Sequence, residues 1–177
     1  MTGQKDRYST TEKLWKLDDE QLTTPRHDEL VLMWFDSIFA FTKLLDFLPG
    51  LPQGYTWEIT RINPEHPIMS GSYIIGYWDI ILEVKTKYCD VLNSDNTVRY
   101  DEFLRFCPRY FCIECKPSIL SFGQTIRQLN TYISYIDSDR QAIWNDNIRN
   151  HKVIILFTPD IRFKNAFESQ GINVISP

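Results

Sequence analysis

The spacing of hydrophobic and polar positions predicts a definite order of helices and strands. A threonine cap followed by proline opens an apolar helical pattern that extends over residues 24–48. Residues 55–62 alternate between apolar and polar side chains, which predicts a half-buried strand, and residues 63–71 are predicted to turn the chain. The run 72–84 is almost wholly apolar, as is typical of a central strand covered on both faces.

The second half of the chain continues the alternation of elements, whereas residues 1–22 give no clear pattern. Residues 85–107 are polar and rich in turn residues, which predicts a peripheral insertion. The elements predicted after it are a strand at 109–116, a helix from Ser118 or Ser121, a weaker helical stretch at 139–149, a strand at 152–157, a helix from Thr158-Pro159 to Gly171 and a strand at 172–175.

This order predicts an α/β fold in which helices flank a mixed β-sheet. The chain has 177 residues and a mass of 21.0 kDa, and 43% of its residues are hydrophobic. A chain of that size can bury a substantial core as one domain, so we expect a single domain over 1–177 with the insertion at 85–107.

Asp79 is the first residue that points to chemistry. It interrupts an apolar run, and an ionised carboxylate in such a place is costly unless it is paired or bound to a metal. The alternative is a buried structural aspartate that is satisfied by backbone donors or by a lysine such as Lys116.

Glu114 and Lys116 form a second candidate group at the end of a predicted strand. Their spacing of two residues places both side chains on one face of the strand. A carboxylate that holds a metal and an ammonium that acts on water could therefore lie side by side. A salt bridge on an edge strand is the alternative, and the apolar neighbours Phe111 and Ile113 argue against it.

A polar stripe follows on the predicted helix. Gln124, Gln128 and Tyr132 recur every four residues, opposite an apolar face, and Arg127 lies beside them. Taken alone, the stripe favours the solvent-exposed side of an amphipathic helix over a functional surface.

Three sequence blocks together resemble the PD-(D/E)XK nuclease superfamily, and within it the RecB-like branch. These blocks are Gly76-Tyr77-Trp78-Asp79, Glu114-Cys115-Lys116 and Gln128-Leu129-Asn130-Thr131-Tyr132, in the order GxxD, (D/E)xK and QxxxY. Trp78 stands where the named signature has proline. The resemblance implies a restriction-endonuclease-like fold and a DNA nuclease, endo- or exonucleolytic, that requires Mg²⁺ or Mn²⁺.

The resemblance also implies a role for each residue. Asp79 and Glu114 would bind the metal together with the backbone carbonyl of Cys115, and Lys116 would act on the attacking water or on the transition-state charge. A residue of the first helix, Glu29 by preference or else His27, would complete the metal site. Glu58 on the polar face of the first predicted strand is left open as a third candidate. Gln128 and Tyr132 would support catalysis and contact nucleic acid. Helical spacing, rather than the resemblance, adds Gln124 and Arg127 to the predicted nucleic-acid contacts.

The net charge of -4 argues against a broadly basic nucleic-acid coat. Contacts to a phosphate backbone would have to come from a local group of cations near the proposed site. The candidates are Arg99, Arg105, Arg109, Lys116 and Arg127. DNA is the expected partner, while RNA as substrate and a homodimer remain open.

Other readings of the sequence are weaker. Because Cys112 and Cys115 fall on opposite faces of one predicted strand, the four cysteines, with Cys89 and Cys107, are expected to be free rather than to bind zinc or an iron–sulfur cluster. The N-terminus lacks a secretory pattern, and charges interrupt the apolar segment 30–48, so a cytoplasmic protein without a membrane span is expected. The strongest rival to the nuclease is a catalytically silent binding or scaffolding domain on the same fold.

Overall fold

The structure, a computed structural model, describes residues 25–51, 55–88, 108–138 and 152–177. Over these residues the protein is α/β, with a five-stranded mixed sheet and helices. The elements are α1 (Pro25–Met33), α2 (Ser37–Leu44), a 3₁₀ turn (Leu45–Phe47), β1 (Tyr55–Ser70), β2 (Tyr73–Tyr88), β3 (Arg109–Cys115), α3 (Phe122–Ser138), β4 (Lys152–Phe157), α4 (Lys164–Glu168) and β5 (Asn173–Ile175).

The strands lie in sequence order across the sheet. β1, β2 and β3 pair antiparallel, whereas β3, β4 and β5 pair parallel. The chain passes from β3 to β4 through α3, because a parallel pair needs a crossover connection. The mixed sheet predicted from the order of elements is therefore confirmed.

Helices cover the sheet on both faces. One core cluster joins α1 and α2 to the sheet and contains Trp34, Ile80, Ile113 and Phe157, while the other contains Leu129 of α3 with Trp78, Cys112 and Leu156. Burial of both sets from water is the main stabilising contribution to this layered arrangement.

The single helix predicted over 24–48 is wrong in one respect, because two helices occupy that segment. The first ends at Met33, and the Asp36 side chain accepts hydrogen bonds from the backbone N–H groups of Ile38 and Phe39 at 2.9 and 3.2 Å. Asp36 is thus the N-cap of α2 rather than a polar interruption within one helix.

The turn predicted over 63–71 is also wrong. β1 continues to Ser70, and the chain reverses at Gly71 and Ser72, with Gly71 at a φ of 59°. Pro64 and Pro67 lie within the strand. Prolines, which lack a backbone N–H group, are tolerated here because β1 is an edge strand that pairs with β2 on one side only.

Most other predicted elements are found where the pattern placed them. β3 and β4 match almost residue for residue, and α3 begins at Phe122, just after Ser121. The helix predicted from Thr158 shrinks to five residues, because side-chain hydrogen bonds of Thr158 and Asp160 hold the preceding residues in a turn. β2 includes the first residues of the predicted insertion; residues 1–22, 89–107 and 139–149 lie outside the described residues.

The two described cysteines lie on opposite faces of β3, as the alternation of a strand predicts. Cys112 and Cys115 are buried thiols outside any disulfide, and they belong to opposite core clusters. Cys89 and Cys107 lie outside the described residues. None of the described helices is long and apolar enough to cross a membrane.

Candidate active site

The candidate site lies where β2 separates from β3. The paired register ends with Ile80 opposite Ile113, so Asp79 and Glu114 are the next residues on their strands. The alternation of β2 breaks at this point, because Trp78 packs in one core cluster and Ile80, two residues on, packs in the other. Glu65, at the same level of β1, has a φ of 45°. Asp79 therefore occupies a local irregularity of the sheet.

Asp79 is held by a strand on one side and a helix on the other. Its Oδ2 accepts a hydrogen bond of 2.7 Å from the backbone N–H of Cys115. This side-chain hydrogen bond links β2 to β3 just beyond the last backbone pair between the two strands. Oδ1 of Asp79 lies 3.2 Å from Nε2 of His27 on α1. The Cys115 thiol itself points into the core, where burial raises its pKa well above the usual value.

Glu114 is buried, with 3% of its surface exposed, and its two oxygens differ. Oε1 lies 2.7 Å from Nζ of Lys116 and accepts a hydrogen bond of 2.9 Å from Nε2 of Gln128. Oε2 is buried without a hydrogen-bond partner. An unpartnered carboxylate oxygen in the interior is costly, so its position calls for a cationic ligand or a proton.

The charges of this group perturb one another. Burial, followed by the charge of Asp79, raises the pKa of Glu114 well above its usual range, although Lys116 opposes the shift. Burial alone would lower the pKa of Lys116, but the negative charges of Glu114 and Asp79 raise it overall. Lys116 is therefore a protonated ammonium at neutral pH. Glu114 lies beside the negative charge of Asp79, so a nearby positive charge would stabilise its ionised form.

Helix α3 supplies the other wall of the site. Besides its bond to Glu114, Gln128 Nε2 lies 3.1 Å from the hydroxyl of Tyr132, and the Tyr132 ring meets Trp78 edge-on with ring centroids 5.4 Å apart. A Cβ on Gly76 would lie 2.6 Å from Cε1 of Tyr132. The glycine of the GxxD block is thus needed because the tyrosine of the QxxxY block packs directly on it.

The polar stripe predicted on α3 is divided in the structure. Gln128 and Tyr132 turn toward Glu114, whereas Gln124 and Arg127 are exposed to solvent. Tyr132 is half-buried and packs against the second core cluster with Ile126 and Ile133. Its ring therefore serves the core, and its hydroxyl is the part that faces the site.

On the first helix, the residue that reaches the site is His27. Its Nδ1 lies 3.1 Å from Oδ1 of the buried Asp28, and its Nε2 contacts Asp79. Glu29, the residue preferred from the sequence, is exposed, and Glu58 is exposed on β1 opposite Lys85, away from Asp79. Burial alone would lower the pKa of His27, but the hydrogen bonds and charges of Asp79 and Asp28 raise it to about 9.

Asp28 is the site residue that sequence reasoning missed. Its signal was present, since His27, Asp28 and Glu29 are consecutive in the first turn of a predicted helix. Helical spacing separates the directions of neighbouring side chains by about 100° but does not say which one faces the sheet.

The cations predicted to bind the phosphate backbone differ in their exposure. Arg127 is exposed on α3, Arg109 is half-buried at the start of β3, and Arg99 and Arg105 lie outside the described residues.

The donor set fits a divalent cation of the magnesium type. No group of three or more histidine, cysteine, aspartate or glutamate side chains arranged for metal binding is found within 25–51, 55–88, 108–138 and 152–177. Mg²⁺ nevertheless keeps several waters and is commonly bound through one or two carboxylates, which Asp79 and Glu114 can provide. The unpartnered Oε2 of Glu114 is the observation in favour of such a ligand.

Comparison of the chain with protein-family models, with curated proteins and with solved structures gives no match.

Proposed function

We propose that this protein is a metal-dependent DNA nuclease that hydrolyses phosphodiester bonds with a carboxylate and lysine site of the PD-(D/E)XK type on a restriction-endonuclease-like fold. The observation that carries the proposal is the state of Glu114: a buried carboxylate, next in register to Asp79, with one oxygen paired to Lys116 and the other without a partner. Two neighbouring carboxylates repel each other and destabilise the folded protein when no cation is present. Together they are suited to bind a cation that also contacts phosphate.

Asp79 and Glu114 would hold Mg²⁺ or Mn²⁺, with the carbonyl of Cys115 as the further ligand that the family resemblance implies. When bound, the cation supplies Lewis-acid activation of the phosphate and of water. Asp79 already has a fixed direction, because one of its oxygens accepts from the Cys115 backbone. A ligand held in this way needs little reorganisation on binding.

Lys116 provides a positive charge that is fixed at the site. Its Nζ lies 2.7 Å from Glu114, and 27% of its side chain is exposed, so the ammonium can reach a bound phosphate while its stem remains packed. Since its pKa is raised rather than lowered, its role is to orient water and stabilise transition-state charge, and not to take up a proton.

Gln128 and Tyr132 hold Glu114 in place from the opposite wall. Gln128 donates to Glu114 Oε1, which leaves Oε2 as the oxygen available to a ligand. The exposed Arg127 lies on the same helix and provides a cation for the phosphate backbone of the substrate.

A second function is favoured by one observation. His27 lies against Asp79 and Lys116 against Glu114, so each carboxylate already has a basic partner without a metal. A catalytically silent nucleic-acid-binding or scaffolding domain could keep such a balanced arrangement.

Cleavage assays separate the two functions. We expect the purified protein to cut linear, circular or single-stranded DNA with Mg²⁺ or Mn²⁺ and to stop when EDTA is added. Asp79→Asn should abolish Mn²⁺ binding in titration calorimetry and lower the cleavage rate on the order of a hundredfold or more. Asp46→Asn makes the same chemical change at an exposed residue of the 3₁₀ turn and is the control. DNA binding without cleavage under all these conditions would favour the silent domain.

A further inference from the structure

Asp28 is a buried acid in the first turn of α1, beside His27. Only 1% of its surface is exposed, and its Oδ1 lies 3.1 Å from Nδ1 of His27. An acid in the first turn of a helix also interacts favourably with the helix dipole. That effect is available to an exposed side chain, so it does not explain why Asp28 is turned inward against the histidine.

The contacts of His27 are divided between its two ring nitrogens. Nδ1 faces Asp28, while Nε2 faces Oδ1 of Asp79 at 3.2 Å. A carboxylate that accepts from one imidazole nitrogen fixes the orientation of the ring and keeps the proton on that nitrogen. The other nitrogen is then directed at whatever occupies the opposite side, which here is Asp79 and the space beside it.

We infer that Asp28 is a positioning residue of the candidate site, which holds His27 with Nδ1–H toward Asp28 and Nε2 toward Asp79 and its cation. The inference rests on the proposed function, because it assigns Asp28 a purpose in cation binding. Asp28 itself touches neither the cation nor the substrate. It acts through the imidazole, as carboxylates beside metal-binding histidines commonly do.

A double-mutant cycle on Mn²⁺ affinity tests this inference. Asp28→Asn keeps the size of the side chain but offers an amide that can donate toward Nδ1, and we expect Mn²⁺ binding in calorimetry to weaken tenfold to a hundredfold. His27→Ala should weaken binding at least as much. In the His27→Ala background, Asp28→Asn should not weaken Mn²⁺ binding further, because the imidazole through which Asp28 acts is absent.

If Asp28 had only a structural role, Asp28→Asn would lower the Mn²⁺ affinity by the same factor in the presence and in the absence of His27. That result would overturn the inference. Asp46→Asn, an exposed aspartate in the same helical layer, is the control for charge removal alone.

The orientation of His27 can also be measured in metal-free protein, independently of the proposed nuclease function. In ¹⁵N-labelled protein free of divalent cations, His27 should give a protected Nδ1–H signal, assigned by its absence in His27→Ala. The signal should shift or disappear in Asp28→Asn, and an unchanged signal would contradict the inference. If the wild-type protein fails to bind Mn²⁺ while this signal behaves as expected, the proposed function fails and the positioning of His27 by Asp28 stands.

Discussion

Two buried glutamates on neighbouring strands show how differently the same side chain can be used. Glu83 of β2 lies opposite Tyr110 of β3, and it accepts from the Tyr110 hydroxyl at 2.9 Å, from Nζ of Lys85 at 2.9 Å and from the Thr60 hydroxyl at 3.3 Å. Glu114 of β3 lies next in register to another acid, Asp79, and one of its oxygens has no partner.

The pKa values respond in opposite directions. Burial alone would raise the pKa of Glu83, but hydrogen bonds from Lys85 and Tyr110 lower it overall. Burial and the charge of Asp79 raise the pKa of Glu114. Burial of an acid therefore does not by itself distinguish a candidate site. Incomplete pairing does distinguish Glu114 from Glu83, because it leaves an oxygen that only a ligand or a proton can satisfy.

The largest difference is expected between the two lysines that pair with these acids. Lys116→Ala should lower the cleavage rate on the order of a hundredfold, because it removes a fixed charge from the transition state. Lys85→Ala removes a lysine with a similar contact to Glu83 and should leave the rate within a few-fold of wild type. Both variants should retain the wild-type circular dichroism spectrum. Equal rates for Lys116→Ala and wild type would contradict the role of Lys116.

The two glutamates should also give opposite pH dependences of stability in metal-free protein. The lowered pKa of Glu83 stabilises the fold above its ordinary value of 4.5, and this contribution is lost as the pH falls through the folded pKa. The raised pKa of Glu114 means a contribution that is complete below 4.5 and is lost as the pH rises toward about 7.

Denaturant unfolding of two variants measures this contrast. Glu83→Gln should lower the free energy of unfolding by about 1–3 kcal/mol at pH 7, since it weakens buried charge-assisted hydrogen bonds, and the cost should shrink in acid. Glu114→Gln should gain stability relative to wild type as the pH rises from 4.5 to 7. The same pH trend for both variants would remove the distinction between them.

The packing of Gly76 against Tyr132 should matter for the site and the core together. Gly76→Ala places a methyl group 2.6 Å from the tyrosine ring, and we expect a loss of about 1–3 kcal/mol in the free energy of unfolding together with slower cleavage. Gly50→Ala is the matched control, since an added Cβ there meets nothing within 4 Å. Similar unfolding midpoints for the two variants would show that Tyr132 moves aside without cost.

The smallest effects are expected at the exposed side of α3. Arg127→Ala should weaken DNA binding modestly and reduce the slope of log affinity against log salt by about one, as for one lost phosphate contact. Tyr132→Phe should matter less than loss of the whole ring, because the ring stays packed and only the hydroxyl contact to Gln128 at 3.1 Å is removed. An unchanged salt slope in Arg127→Ala would place the substrate elsewhere.

The sequence by itself determined strands β3 and β4 and helix α3. β3 and β4 were predictable because buried parallel strands require continuous apolar runs, and α3 was predictable because its apolar face recurs with the helical period. The pairing of Glu114 with Lys116 on one face followed from the alternation of a strand. These features depend on local periodicity, which the sequence displays directly.

Only the tertiary structure decided which residue of the first helix meets Asp79, and that Tyr132 lies on Gly76. His27 rather than Glu29 faces the sheet because the rotation of α1 is set by packing of Leu30, Val31 and Trp34 against distant strands. The extension of β1 through two prolines likewise depends on its place at the edge of the sheet. Such features come from contacts between residues far apart in the chain, and no local pattern carries that information.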